Sequence, residues 1–129
     1  MIGFDTGFFL KLWAGNQHTR EVWDEIENNN RQGVISVITL YELRKLSLRK
    51  VIKLNFEKAK EMITEILSVI QITPEIADKS AFLSYGTGIH MADAIILTSL
   101  LDAGCKEVYT DNISHLGEYK KKGMEIIQI

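Results

Sequence analysis

With one cysteine and one proline in 129 residues, this chain can form no internal disulfide, no multi-cysteine zinc site and no proline-rich linker. Cys105 stands in Ala103-Gly104-Cys105-Lys106 with no His or Asn signature around it, which suits a small residue at a helix-to-strand turn. No apolar run approaches the ~18 residues needed to span a bilayer, so no membrane association is expected. The opening Met1-Ile2-Gly3-Phe4-Asp5 has no basic region and meets an acid too early for a signal peptide, which makes the cytoplasm the expected compartment. Excess charge is lacking too: a net charge of -2 predicts no global attraction to nucleic acid. His18, His90 and His115 fall in different segments, so neither a histidine acid–base pair nor a Ser-His-Asp arrangement is visible. That removes the metal-free routes to strand cleavage that can be recognised in a sequence.

What remains has the composition of an ordinary soluble globular protein, 46% hydrophobic and 25% charged, and its length suits a single domain spanning 1–129. Five short runs rich in Ile, Val or aromatic residues predict strands over 2–5, 34–38, 69–73, 107–110 and 124–129. Val34-Ile35-Ser36-Val37-Ile38 is apolar almost throughout, as in a strand covered on both faces; the last run alternates and suits an edge. The spacers read as helices. Val22, Trp23 and Ile26 share a face within 18–30; Leu40, Leu43 and Leu46 recur after the second strand; Phe56, Ala59, Ile63, Ile66 and Ile70 make a stripe over 55–70. A further helix over 90–103 is stopped by Gly104, and Tyr85-Gly86-Thr87-Gly88 breaks two helical segments. Strands alternating with helical spacers predict an α/β fold with a parallel sheet, in two or three layers. Trp13 and Phe8-Phe9 read as core.

Four acids lie where apolar runs give way to polar or helical ones. Asp5 ends the first strand, where an N-cap and a metal ligand are equally good readings. Glu42 completes Thr39-Leu40-Tyr41-Glu42, which fits a capping box with Thr39 as N-cap. Asp93 falls in the first turn of the 90–103 helix among small and apolar neighbours, with His90 one helical step before it. Asp111, followed by Asn112, leaves the fourth strand, where Asx-turn chemistry is the ordinary explanation. In an open parallel sheet, strand ends and the following helix starts share one edge, where ligands bind. Carboxylates gathered there repel one another unless a proton or a cation intervenes. An oxygen-ligand metal site is the leading expectation.

In order along the chain stand a strand into Asp5-Thr6, Ile35-Ser36-Val37-Ile38-Thr39-Leu40-Tyr41-Glu42-Leu43, an Ala92-Asp93-Ala94-Ile95-Ile96-Leu97 helix, and Tyr109-Thr110-Asp111-Asn112. Together these resemble the PIN domain, nearest to its small prokaryotic members that include the VapC-type toxins. The resemblance implies an α/β fold of three layers, α/β/α, with a central parallel sheet of five strands, and an Mg2+- or Mn2+-dependent ribonuclease whose first three acids match Asp5, Glu42 and Asp93. Related chains carry Thr-x-Asp, or Thr-x-Asn and a later Asp-Phe, after the fourth strand. Here Asp111 follows Thr110 directly and His115-Leu116 stands where Asp-Phe would fall, so either Asp111 or Asn112 completes the site. Asp5, Asp93 and Asp111 would be metal ligands, and Glu42 would orient a water or act as base. Thr6, Ser36, Thr110 and Asn112 would support them. The resemblance further implies an antitoxin partner and a homodimer.

Seven of the 15 basic residues lie between Arg44 and Lys60, opposed there only by Glu57. Arg44, Lys45 and Arg49 are the candidates to contact an RNA strand, against the alternative of a solvated helix surface. Two other functions compete. A PIN-like module could bind RNA or a protein without cutting. A receiver or phosphatase also places Asp at strand ends, but needs an early acidic cluster or Asp-x-Asp, and Phe4-Asp5-Thr6-Gly7 supplies neither.

Overall fold

The computed structural model describes residues 1–129. Its elements run β1 (Ile2–Phe4), α1 (Thr6–Trp13), α2 (Gln17–Glu27), β2 (Gly33–Ser36), α3 (Val37–Leu48), α4 (Phe56–Ile66), β3 (Ser68–Ile70), α5 (Pro74–Ser84), α6 (Met91–Asp102), β4 (Glu107–Thr110), α7 (Gly117–Lys121) and β5 (Glu125–Gln128). All four strand pairings are parallel, and the sheet order is β3-β2-β1-β4-β5. The expected five-stranded parallel sheet is present, with β5 at an edge as its alternating sequence suggested.

Side chains of successive strand residues point to opposite faces, and the core divides accordingly. Ile2, Phe4, Ile35 and Tyr109 join one buried cluster with Phe8 and Phe9 of α1, Trp23 and Ile26 of α2, Leu43 of α3 and Ile63 of α4. Val34 and Val108, one residue out of phase, join a second cluster with Ile96, Leu97 and Leu100 of α6, and Tyr119 of α7. Helices therefore cover both faces, which completes the three layers. Phe8 and Phe9 are fully buried, as expected, and Trp13 packs against the first cluster. Gly3 lets α6 lie close on the sheet: a Cβ there would come within 2.8 Å of a Leu100 methyl.

The sheet is shorter than the hydrophobic runs suggested. β2 ends at Ser36, whose side-chain oxygen accepts a hydrogen bond from the Ile38 amide (3.2 Å), so Val37 and Ile38 begin α3 instead of continuing the strand. Ser36 thus replaces Thr39 as N-cap. Thr39 lies inside the first turn, fully buried, with its hydroxyl unpaired. A run apolar but for one serine carries too little periodicity to separate a covered strand from a buried helix turn, which explains the two-residue overrun. β3 spans Ser68–Ile70 rather than 69–73, and Ile70 belongs to that strand, not to the helical stripe of α4.

Candidate active site

β1 and β4 are neighbours in register, with Phe4 opposite Tyr109, so Asp5 and Thr110-Asp111 leave the same edge of the sheet side by side. From β1 the strand order runs to β2 and β3 on one side, and β4 and β5 lie on the other. Such a reversal opens a crevice beyond the strand ends, the usual ligand position in open α/β sheets. A cleft of about 350 Å³ lies there. Asp5, Glu42, Asp93 and Asp111, from four different elements, all line it.

Each is placed by its local structure. Asp5 N-caps α1, its Oδ1 accepting from the Phe8 amide (3.1 Å), while its Oδ2 accepts a short bond from the Thr110 hydroxyl. Capping and cleft-lining therefore coincide in one carboxylate. Glu42 lies in the second turn of α3 and accepts from the Thr6 hydroxyl at 2.5 Å. It points across to the start of α1, so the expected capping-box bond back to Thr39 is not formed. Asp93 occupies the first turn of α6, one helical step beyond the N-cap residue His90. Asp111 leans over Gly7: a Cβ on that glycine would lie 2.3 Å from the Asp111 carboxyl carbon. The second residue of α1 is thus small enough to seat an acid on the electropositive start of that helix.

The environment disfavours free negative charge. Burial, helped by the charges of Asp111 and Asp93, pushes the Asp5 carboxyl up to about 6, against the opposing bonds from Thr110 and the Phe8 amide. Burial and Asp111 also raise Asp93, while the nearby His90 pulls the other way. Desolvation and like-charge repulsion are the two penalties that a bound cation relieves. The donors are all oxygens, the set that hard divalent ions such as Mg2+ and Mn2+ prefer, and such ions keep several waters while using only a few carboxylates. In donor chemistry the cleft fits such an ion. No three His, Cys, Asp or Glu side chains are yet arranged to close on one.

The supporting residues divide. Thr6 and Thr110 hold carboxylates, as described. Asn112 also lines the cleft, but its Oδ1 accepts from the Ser114 amide (3.1 Å) and its own amide donates to Thr110 Oγ1 (3.1 Å), which shapes the turn. Ser36 is buried, caps α3, and is not among the cleft residues. Arg44 and Lys45 on α3, and Arg49 at its C-cap, also lie outside the cleft lining. Arg44 is paired with Glu57 and stacked 4.3 Å above the Phe56 ring, and Lys45 lies 5.8 Å from the Tyr41 ring. Sequence reasoning missed that His90 and His115, from α6 and from the loop after β4, line the same cleft. Their 25-residue separation gave no local signal; only the position of His115 beyond the fourth strand hinted at it.

A family model described as the PIN domain matches residues 2–119. Among solved structures, the chain is similar to one from a toxin–antitoxin complex of Klebsiella pneumoniae (TM-score 0.71, 24% identity, 90% of each chain covered). It is also similar to one from VapBC2 of Rickettsia felis bound to a DNA fragment from its promoter (TM-score 0.72, 18% identity, covering 100% of this chain and 99% of that one). A third is VapC20 of Mycobacterium tuberculosis, a toxin that cleaves the sarcin-ricin loop (TM-score 0.69, 18% identity, 96% of each chain). No curated protein sequence matches.

Proposed function

We propose that this chain, which belongs to the PIN domain family, is a divalent-metal-dependent ribonuclease and the toxin of a toxin–antitoxin pair. One observation carries the reading: four carboxylates, two just past the ends of β1 and β4 and two on α3 and α6, line a single cleft at the switch point of the sheet, where burial and mutual repulsion raise Asp5 and Asp93.

In this reading Asp5 and Asp93 are the principal ligands of Mg2+ or Mn2+ and Asp111 completes the set. When bound, the ion supplies Lewis acidity to the phosphodiester and the attacking water. Thr110 fixes the direction of the Asp5 carboxylate, as outer-shell hydrogen bonds do for metal ligands. Glu42, oriented by Thr6, takes the proton of the water. The cleft walls Leu97 and Leu116 restrict competing solvent. Lys45, one helical step beyond Glu42 on α3, and Arg49 at the C-cap of that helix contact the RNA backbone as it leaves the cleft, while Arg44 is held in its pair with Glu57. The unit is the single domain 1–129 acting in the cytoplasm, and no helix is long and apolar enough to cross a membrane. The toxin–antitoxin complexes among the similar structures support an antitoxin partner. Phe82, Tyr85 and Met91, all exposed around the α5–α6 turn, suit a homodimer contact.

The test is cleavage of single-stranded RNA by purified protein with Mn2+ or Mg2+. Asp5→Asn should abolish it, as should chelation with EDTA. A second reading, a PIN module that binds RNA or a protein partner without cutting, is favoured by the fourth acid, since Asp111 is exposed and departs from the family pattern. RNA binding without cleavage in saturating Mn2+ would select it.

A further inference from the structure

We propose that His115 is the proton donor to the leaving oxygen of the phosphodiester, an inference that rests on the nuclease reading above. Four carboxylates account for holding a cation and for taking a proton from water. None accounts for the other half of the reaction. When water adds to phosphorus and the P–O bond breaks, the electron pair goes to the departing sugar oxygen, which must gain a proton to leave as a hydroxyl. An acid entering the cleft from a different element than Glu42 would complete the balance, the water's proton passing to Glu42 and the acid's own proton passing to the leaving oxygen.

His115 meets that requirement by position. It lines the carboxylate cleft from the loop between β4 and α7, whereas Glu42 enters from α3. The loop is pinned at both ends. At its start, Thr110 Oγ1 accepts from the Asn112 amide and Asn112 Oδ1 from the Ser114 amide, both at 3.1 Å. At its end, Leu116 is buried in the second core cluster. Between them His115 takes a left-handed backbone conformation, φ 62°. This is uncommon for a residue with a side chain, and such conformations concentrate at functional sites. The ring approaches another cleft residue, Gly88, where Nε2 would lie 3.9 Å from an added Cβ. His115 takes part in none of the five ion pairs of the chain. The other cleft histidine, His90, instead acts on Asp93. Histidine is the side chain whose ordinary range lies nearest neutrality, and so can hold and release a proton at working pH.

The experiment changes the leaving group. His115→Asn keeps a residue type that tolerates the left-handed backbone, and an unchanged melting temperature verifies the fold. Wild type and variant are compared, with Mn2+, on a mixed-sequence single-stranded RNA. They are then compared on versions with sulfur replacing the 3′- or 5′-bridging oxygen at the mapped cut, the adjacent 2′-hydroxyl being removed to prevent self-cleavage. A thiolate leaves without protonation. The variant should be slowed on the order of 100-fold on all-oxygen RNA, yet cut one bridging-sulfur substrate within about threefold of wild type. Calorimetric Mn2+ binding should be unchanged. Equal loss on all substrates, no loss on any, or Mn2+ binding weakened about tenfold would overturn the proposal, the last by making His115 a ligand. No cleavage by wild type would overturn the nuclease reading itself, and this inference with it.

Discussion

Two strands exit side by side into the cleft, and they deliver their aspartates in opposite ways. Asp5, leaving β1, is held at both oxygens by Thr110 and the Phe8 amide, and lies deep enough for its carboxyl to rise to about 6. Asp111, leaving β4, is exposed, and its placement depends on the space above Gly7. One corner is built; the other is permitted. The difference teaches that a strand end alone does not make a ligand, since direction comes from hydrogen bonds contributed by other elements.

The largest test of this contrast removes the fixed corner. Asp5→Asn should lower Mn2+-dependent cleavage by more than the ~100-fold typical of losing an outer-shell partner, in single-turnover assays. Thr110→Val keeps the carboxylate but frees its Oδ2, and should cost ~10–100-fold in metal affinity or rate. If both variants cut RNA normally, the site lies elsewhere.

The pH dependence of stability follows from Asp5 and has a definite sign. Unfolded, the carboxyl ionises at its ordinary value of 3.8; in the fold, burial raises it to about 6. Between these values the native state keeps a proton that the unfolded state has lost. Metal-free stability therefore falls as pH rises across that window and flattens above it. The cost at neutral pH is about 2–3 kcal/mol. Asp5→Asn should remove it, raising the metal-free melting temperature at pH 7.5 while abolishing stabilisation by Mn2+. A pH-independent difference between the two proteins across pH 4 to 6.5 would refute the assignment.

Gly7→Ala probes the other corner. The methyl would displace the Asp111 carboxylate, yet within a helix alanine is preferred over glycine by ~0.5–1 kcal/mol. Activity should fall on the order of tenfold, to the level of Asp111→Asn, with no loss of melting temperature. Unchanged cleavage in both would remove Asp111 from the site. The smallest effects are expected outside the cleft. Lys45→Ala with Arg49→Ala should weaken RNA binding a few-fold and reduce its salt slope by about 2. Arg44→Ala should cost about 1 kcal/mol of stability through the lost Phe56 stack and exposed Glu57 pair, with little effect on binding.

Composition, hydrophobic runs and the order of acidic motifs were enough to specify five parallel strands, the helical layers and which carboxylates to watch, because strand exits and helix starts carry local signatures. Boundaries inside uniformly apolar runs were not legible. Val34 to Ile38 reads as one strand, and only the Ser36 cap shows where it turns into a helix. Nor could sequence assign the hydroxyls: Ser36 and Thr110 look alike as strand-end residues, yet one caps a helix and the other holds Asp5. Arg44, Lys45 and Arg49 likewise form one basic run, while tertiary packing ties Arg44 to Phe56 and Glu57. The sheet order β3-β2-β1-β4-β5 made Asp5 and Asp111 neighbours across 106 positions and brought His90 and His115 to one cleft. Local sequence determines backbone preference over a few residues, but which side chains share a cleft depends on the pairing of distant strands, and that is decided only when the core closes.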